Sequence, residues 1–117
     1  MKFSESLRKN RDFQIVYKTG KSYANRLLVM YVLENHQEKN YLGISVSKKV
    51  GNSIVRHRLK RLIHESYRLH EEMFNSGLNI VVLARNSAKT ATYAEIESAL
   101  LHLSRLHNIL TEAKSET

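Results

Sequence analysis

The stretch that decides the fold runs from Ser45 to Arg68 and reads SVSKKVGNSIVRHRLKRLIHESYR. It holds seven Lys and Arg residues against a single glutamate, so six of the eight net positive charges of the chain lie within it. We expect a strand that ends near Ser47, a turn at Gly51, an N-cap at Asn52 or Ser53, and then a helix. Such a helix would hold the cations on one rigid surface, which suits a polyphosphate partner.

The predicted helix has two chemically different sides when its residues are placed about 100° apart. One side is mainly apolar and would pack on the protein: Val55, Leu59, Leu62, Ile63, Ser66 and Leu69. The other side is cationic and contains Arg56, His57, Lys60, Arg61, His64 and Arg68. A solvated helix face usually mixes both signs of charge, and cations without acidic partners repel one another. The cationic side therefore predicts a nucleic-acid-binding surface, to which the same stretch adds Lys48, Lys49 and Arg58.

Length and composition predict a small domain from a reducing compartment. The 117 residues allow for one hydrophobic core, and we expect a single domain over residues 1–117 with a flexible tail from residue 111. The chain has no cysteine, which rules out disulfides and thiolate metal sites. Its N-terminal residues lack the apolar run of a signal peptide, and no window approaches a membrane span. We therefore expect a cytoplasmic protein with no membrane partner.

Local patterns outside this stretch predict two more helices and three more strands. One helix is expected from Asn10, its predicted N-cap, to about Lys18, and another over 93–110 with Thr92 and Glu95 in a capping box. The strands of the sheet are expected over 21–24, 26–34, 41–47 and 79–84. The middle two would form a hairpin. This order predicts an α+β two-layer sandwich with a sheet of about four strands.

The sequence resembles the protein subunit of bacterial ribonuclease P, the ribonucleoprotein that removes the 5′ leader from precursor tRNA. The resemblance covers most of the chain and rests on an ordered set of segments: Arg11-Asp12-Phe13 with Tyr17 and Gly20, Ala24-Asn25-Arg26, Gly43 to Asn52, the basic helix, and Ile80 to Arg85. It implies a left-handed strand-helix-strand crossover, as in certain ribosomal-protein domains, against the general right-handed preference. The family has Arg-Asn-Arg in the helix, whereas this chain has Arg56-His57-Arg58. A histidine can donate or accept a hydrogen bond but does not offer both faces of an amide.

The resemblance also implies roles for particular residues. In the family, the positions that match Phe13, Tyr17 and Tyr31 bind the single-stranded leader, and Arg11, Lys18 and Lys48 would line the same cleft. Aromatic rings are platforms for unpaired bases, although rings at helix or strand spacing are more often core residues. The basic helix and the lysines before it would bind the catalytic RNA.

The resemblance implies that this RNA carries out the chemistry, with Mg²⁺ bound mainly by the RNA and the substrate. It therefore implies no catalytic or metal-binding residue in the chain. The protein would raise the affinity for precursor tRNA and lower the Mg²⁺ requirement. One protein is expected for each RNA subunit.

Three other functions stay open from the residues alone. His57 and His64, on the basic side, could serve a metal-independent nuclease, but no acidic cluster stands near them to hold Mg²⁺. A DNA-binding helix-turn-helix protein needs a packing helix before the recognition helix, and a strand and turn are predicted there instead. A generic RNA chaperone or ribosome-assembly factor would bind unrelated RNAs and would not depend on a 5′ leader.

Overall fold

The computed structural model describes residues 1–111, and this part of the chain contains five strands and three α-helices. In chain order they are β1 (Ser4–Ser6), α1 (Asn10–Thr19), β2 (Lys21–Ala24), β3 (Leu28–Glu34), β4 (Asn40–Ser45), α2 (Ser53–Leu69), β5 (Leu78–Ala84) and α3 (Tyr93–Leu106). The predicted flexible tail lies outside the described residues, except for Thr111 itself.

The five strands form one mixed sheet in the order β1-β4-β5-β3-β2. β1, β4 and β5 are parallel neighbours, whereas β3 pairs antiparallel with both β5 and β2. The predicted α+β class is confirmed, and β4, α2 and β5 form the predicted strand-helix-strand unit. The sheet has five strands rather than about four. β1 escapes prediction because it is only three residues long and largely polar, which leaves no strand pattern to read.

The predicted hairpin between 26–34 and 41–47 is wrong. β5 lies between β3 and β4, so that Val81 pairs with Tyr31 on one side and with Gly43 on the other. β5 is almost wholly apolar. It lies at the centre of the sheet because a strand there is covered on both faces and paired along both edges. The two strands that are neighbours in sequence are therefore separated by the most hydrophobic strand of the chain.

Alternate residues of β5 face two separate cores. Ile80 and Val82 lie in the larger core, with buried residues of α2 and α3. Val81 lies in a smaller core on the opposite face, together with Leu7 and with Val16 of α1. The sheet thus carries α2 and α3 on one face and α1 on the other.

α2 forms as predicted and has Asn52 as its N-cap. The Oδ1 of Asn52 accepts a hydrogen bond of 3.0 Å from the backbone amide of the third helical residue. Leu59 and Ile63, from the apolar side, are fully buried. The prediction that Leu69 packs on the protein is wrong, because the helix ends at this residue and its side chain is 56% exposed.

The other two helices differ from prediction at one end each. Thr92 and Glu95 form the predicted capping box of α3. α1 follows Lys9 and has no side-chain cap, so the prediction of Asn10 as its cap is wrong. α3 stops before residue 110 because Asn108 has a φ of 58°, in the left-handed region that ends helices.

A buried polar network ties β1 to the C-terminal end of α2. The amides of Lys2 and Phe3 donate to the two carboxylate oxygens of Glu71 at 2.9 and 2.8 Å, and Ser4 Oγ lies 2.7 Å from the Tyr67 hydroxyl. Burial raises the pKa of Glu71, but the hydrogen bonds that the carboxylate accepts outweigh burial and leave the pKa below its usual value. The ionised form of Glu71 therefore stabilises this end of the sheet.

We expect Glu71→Gln to lower the free energy of unfolding by about 1 kcal/mol at neutral pH and by less at an acid pH below 4.5, the ordinary pKa of the carboxyl group. A carboxylate with a lowered pKa contributes its full stability above the pKa of the unfolded chain. That contribution is lost as the pH falls through the pKa of the folded state. Urea unfolding of both proteins at the two pH values measures the difference, and an equal gap at both would show that the charge of Glu71 does not hold β1.

Candidate nucleic-acid interface

The outer side of α2 presents cations to solvent. The side chains concerned are His57, Lys60, Arg61 and His64 and, in the turn before the helix, Lys48 and Lys49. All are exposed except the half-buried His64, and none forms an ion pair within residues 1–111. The positive charge of the four Lys and Arg side chains is therefore available to an anionic partner.

Two of the predicted RNA-binding arginines are held in place by backbone carbonyl groups. Arg58 donates from Nη2 to the carbonyl oxygen of Ala91 at 2.8 Å, which ties α2 to the segment before α3. Arg56 donates from Nε to the carbonyl oxygen of Gly51 at 3.2 Å. Both guanidinium groups keep their charge, but their orientation is set by the fold.

Glu65 is the acid on the outer side of α2, and it pairs with Arg68. Two hydrogen bonds join the guanidinium to the carboxylate, and they lower the pKa of Glu65. Both side chains are about half-exposed, so the pair adds little stability. Its effect is to balance the charge of Arg68, so less positive charge remains there for the predicted phosphate contact.

The aromatic residues of α1 and β3 form one cluster on the face of the sheet that α1 covers. The ring centroids of Phe13 and Tyr17 lie 6.4 Å apart, and those of Tyr17 and Tyr31 lie 5.1 Å apart, edge to face. Phe13 lies directly on Gly43, where a Cβ atom would come within 2.6 Å of the ring. The absence of a side chain at Gly43 is thus what allows Phe13 to approach the sheet.

A cleft of about 280 Å³ opens beside this cluster. Its lining residues come from the start of α1, the end of β4 and the middle of α2: Arg8, Asn10, Phe13, Tyr17, Ile44, Ser45, Val46 and Lys60. Half-buried aromatic rings and cations thus face one space, which is the combination that binds single-stranded nucleic acid. Burial raises the pKa of Tyr17, so its hydroxyl group remains protonated at neutral pH.

The structure brings together part of the predicted leader-binding set. Phe13 and Tyr17 line the cleft, and Tyr31 lies against the ring of Tyr17. Arg11 and Lys18 are exposed on α1, but neither belongs to the lining of the cleft. Lys48, in the turn before α2, does not line the cleft either. The aromatic members of the set therefore share one location, whereas the cations predicted beside them lie outside it.

Of the two basic residues that line the cleft, sequence reasoning missed Arg8 and placed Lys60 only on the basic helix. Arg8 stands two residues before α1, and this closeness to the helix that carries the aromatic rings is the signal that could have found it. Lys60 lines the cleft from α2 and also lines a larger groove of about 580 Å³, which shares Ile44 with the cleft and continues past His57 and His64. The aromatic cleft and the cationic side of α2 are thus continuous.

The described residues offer neither a cluster of metal ligands nor a membrane-spanning helix. Within residues 1–111, the His, Asp and Glu side chains form no group of three or more that could hold a metal ion. None of the helices in the same part of the chain combines the length and the apolar character needed to cross a membrane.

Comparison with known proteins agrees with these features. A family model described as Ribonuclease P matches residues 1–107. The chain belongs to the ribonuclease P protein family. A ribonuclease P protein component from Lachnoclostridium phytofermentans is 57% identical over 113 residues, which are 97% of either chain. One from Alkaliphilus oremlandii is 51% identical over 97% of this chain and 99% of its own.

Solved structures of ribonuclease P proteins share the fold. The protein from Staphylococcus aureus matches with a TM-score of 0.84 and 39% identity, over 90% of this chain and 96% of that one. The protein from Thermotoga maritima matches with a TM-score of 0.79 and 31% identity, over 86% and 96%. The mixed sheet with its three helices is thus the fold of ribonuclease P proteins.

Proposed function

We propose that the chain is the protein subunit of a ribonucleoprotein that removes the 5′ leader from precursor tRNA, and that it binds both the catalytic RNA and the leader. The observation that carries this proposal is the continuity between an aromatic cleft and a cationic helix face. The cleft suits unpaired nucleotides, and the helix face suits the phosphates of a folded RNA. Family membership supports the same assignment.

The leader would enter the cleft between α1 and the end of β4. Phe13 and Tyr17 offer ring faces or edges to unpaired bases, and each stacked base is worth about 1–3 kcal/mol. Arg8 and Lys60, which line the same cleft, would hold the phosphates of the stacked nucleotides. Mature tRNA has no leader, so these contacts would favour substrate over product.

The catalytic RNA would bind the cationic residues outside the cleft. Lys48, Lys49 and Arg61 are exposed, and Arg56 and Arg58 project from the same end of α2. Cations placed against RNA phosphates release bound counterions and reduce the repulsion between RNA segments. A smaller Mg²⁺ concentration would then be enough to fold and activate the RNA.

The hydrolysis itself is assigned to the RNA subunit, with Mg²⁺ bound by that RNA and by the substrate. The described residues contain no set of carboxylates and histidines that fits a Mg²⁺ ion, and oxygen ligands are what Mg²⁺ prefers. The chain would act by positioning the substrate and by neutralising phosphates. We assign one protein to each RNA subunit and place the complex in the cytoplasm.

The test is cleavage of a precursor tRNA with a 5′ leader at low Mg²⁺ concentration, by the cognate ribonuclease P RNA alone, by the protein alone and by both together. We expect cleavage at the mature 5′ end only when both are present. Cleavage by the protein alone would make it a nuclease, for which His57 and His64 are the candidates. A protein that binds RNA but does not stimulate the reaction would be an RNA chaperone.

A further inference from the structure

Ile54 is the most exposed large apolar side chain of the described residues. It lies in the first turn of α2, in the midst of the cationic stretch, and 77% of its surface is open to solvent. Single apolar residues on a surface are common, so exposure alone carries no function. What distinguishes Ile54 is the groove in which it stands.

The groove beside Ile54 has a volume of about 540 Å³ and combines an apolar side chain with basic ones. Its lining residues are Ser53, Ile54, His57, Arg58 and Arg61. Ile54 and the three basic residues have the spacing i, i+3, i+4 and i+7, which aligns them along one side of the helix. Apolar residues at this spacing normally pack against the core. Here the one apolar residue, Ile54, faces solvent beside basic side chains.

Arg58 forms a fixed wall of this groove. Its hydrogen bond to the carbonyl oxygen of Ala91, at 2.8 Å, restricts the guanidinium group before any ligand binds. A planar guanidinium held in this way can stack on a base and still carry its charge. Ile54 can cover the face of the same base or its ribose, while His57 and Arg61 are placed for the flanking phosphates.

The groove and the aromatic cleft lie on different sides of α2. They share no lining residue, and Ile54 is about 120° away around the helix axis from Lys60, which lines the cleft. The larger groove that continues from the cleft reaches His57 and Arg61 but not Ile54 or Arg58, so a leader held by Phe13 and Tyr17 would have to cross the helix to contact Ile54. The partner that faces the groove is then the catalytic RNA.

We propose that this groove receives an unpaired nucleotide of the catalytic RNA, with Ile54 as its apolar contact and Arg58 as its stacking wall. The proposal rests on the proposed function, because it assumes that the chain binds the catalytic RNA. The other contacts proposed between this surface and the RNA are electrostatic. The contact of Ile54 would be apolar and independent of charge.

The test is the affinity of the full-length Ile54→Ser variant for the cognate ribonuclease P RNA, without precursor tRNA, over a series of salt concentrations. We expect binding about 10-fold weaker at every concentration, with an unchanged salt dependence, because an apolar side chain releases no counterions. Leu69→Ser is the matched control: it alters an exposed apolar residue on the same helix, away from the groove, and should bind like the unmodified protein. Both variants should keep the thermal unfolding temperature of the unmodified protein, since neither residue is buried.

Three results would overturn the proposal while leaving the proposed function intact. They are unchanged affinity in Ile54→Ser, equal weakening in both serine variants, and, when tRNA binding by the holoenzyme is measured beside RNA binding, an effect of Ile54→Ser only on the discrimination between precursor and mature tRNA. The last would move the groove to the leader. Failure of the unmodified protein to bind the RNA would instead overturn the proposed function, and this proposal with it.

Discussion

Replacing Phe13 with alanine is expected to reduce the preference of the holoenzyme for precursor over mature tRNA by about 10- to 100-fold. The range corresponds to the loss of one stacked base, at about 1–3 kcal/mol. The ring is half-buried and lies on Gly43, so the same change should also lower the free energy of unfolding by about 2 kcal/mol. The two effects must be separated before the loss of preference can be assigned to the leader.

Two further variants separate them. Phe13→Leu keeps most of the packing on Gly43 but removes the aromatic face, so it should lose the preference and retain most of the stability. Tyr41→Ala removes a half-buried ring from the same small core, at the opposite end of β4 from the cleft, and should lose stability without losing the preference. Dissociation constants for precursor and mature tRNA, measured beside thermal unfolding, distinguish the three. Equal loss of preference in Tyr41→Ala would mean that the small core as a whole, and not a ring in the cleft, sets the preference.

The basic helix was the part of the fold that local sequence predicted best. Its N-cap at Asn52, its cationic side and its buried Leu59 and Ile63 all follow from spacing along one segment. The partner of Arg58 did not, because Ala91 lies 33 residues away and meets the helix only in the folded chain. The sequence pattern therefore predicted which side of the helix carries the positive charge. It could not predict which of the arginines are fixed by hydrogen bonds to other parts of the protein.

The order of the strands in the sheet could not be predicted from local sequence either, because it depends on contacts between distant segments. The segments that form β3 and β4 look like a hairpin because they are adjacent, suit strands and are joined by a polar loop. The position of β5 between them arises instead from the burial of a strand that comes later in the sequence. Val81 of β5 pairs with Tyr31 of β3 and with Gly43 of β4, and both of these strands lie far from β5 in the sequence. Local pattern thus predicted the strands but not their neighbours.

The candidate cleft shows a similar division. The aromatic positions Phe13, Tyr17 and Tyr31 came from the family resemblance, and the structure places their rings in one cluster. The need for Gly43 under Phe13 and the presence of Arg8 at the mouth of the cleft depend on how α1 lies on the sheet. Such an arrangement is set by tertiary packing, so spacing alone could not supply it.

Replacing Lys48, Lys49 and Arg61 together with alanine is expected to weaken binding of the catalytic RNA by about 100-fold at low salt and to flatten the salt dependence by about two to three units of slope. These three side chains are exposed and form no ion pair within residues 1–111, so the protein does not need them for its own structure. Arg58 and Arg68 are left in place, because each already has a hydrogen-bond acceptor in the fold. Thermal stability should be unchanged or slightly higher, since neighbouring cations repel one another.

The matched control removes the same charge from elsewhere: Lys2, Lys21 and Arg105 are exposed cations before β1, on β2 and near the end of α3, and none of them forms an ion pair within residues 1–111. Both triple variants have the same net charge, so a general attraction between a basic protein and RNA would weaken equally in both. A specific interface on α2 and its preceding turn predicts that only the first variant also needs more Mg²⁺ for half-maximal cleavage, because only there would Mg²⁺ have to replace cations at RNA phosphates. An equal increase in the Mg²⁺ requirement of both variants would show that only the net charge of the protein matters. The outer side of α2 would then have no specific role in RNA binding.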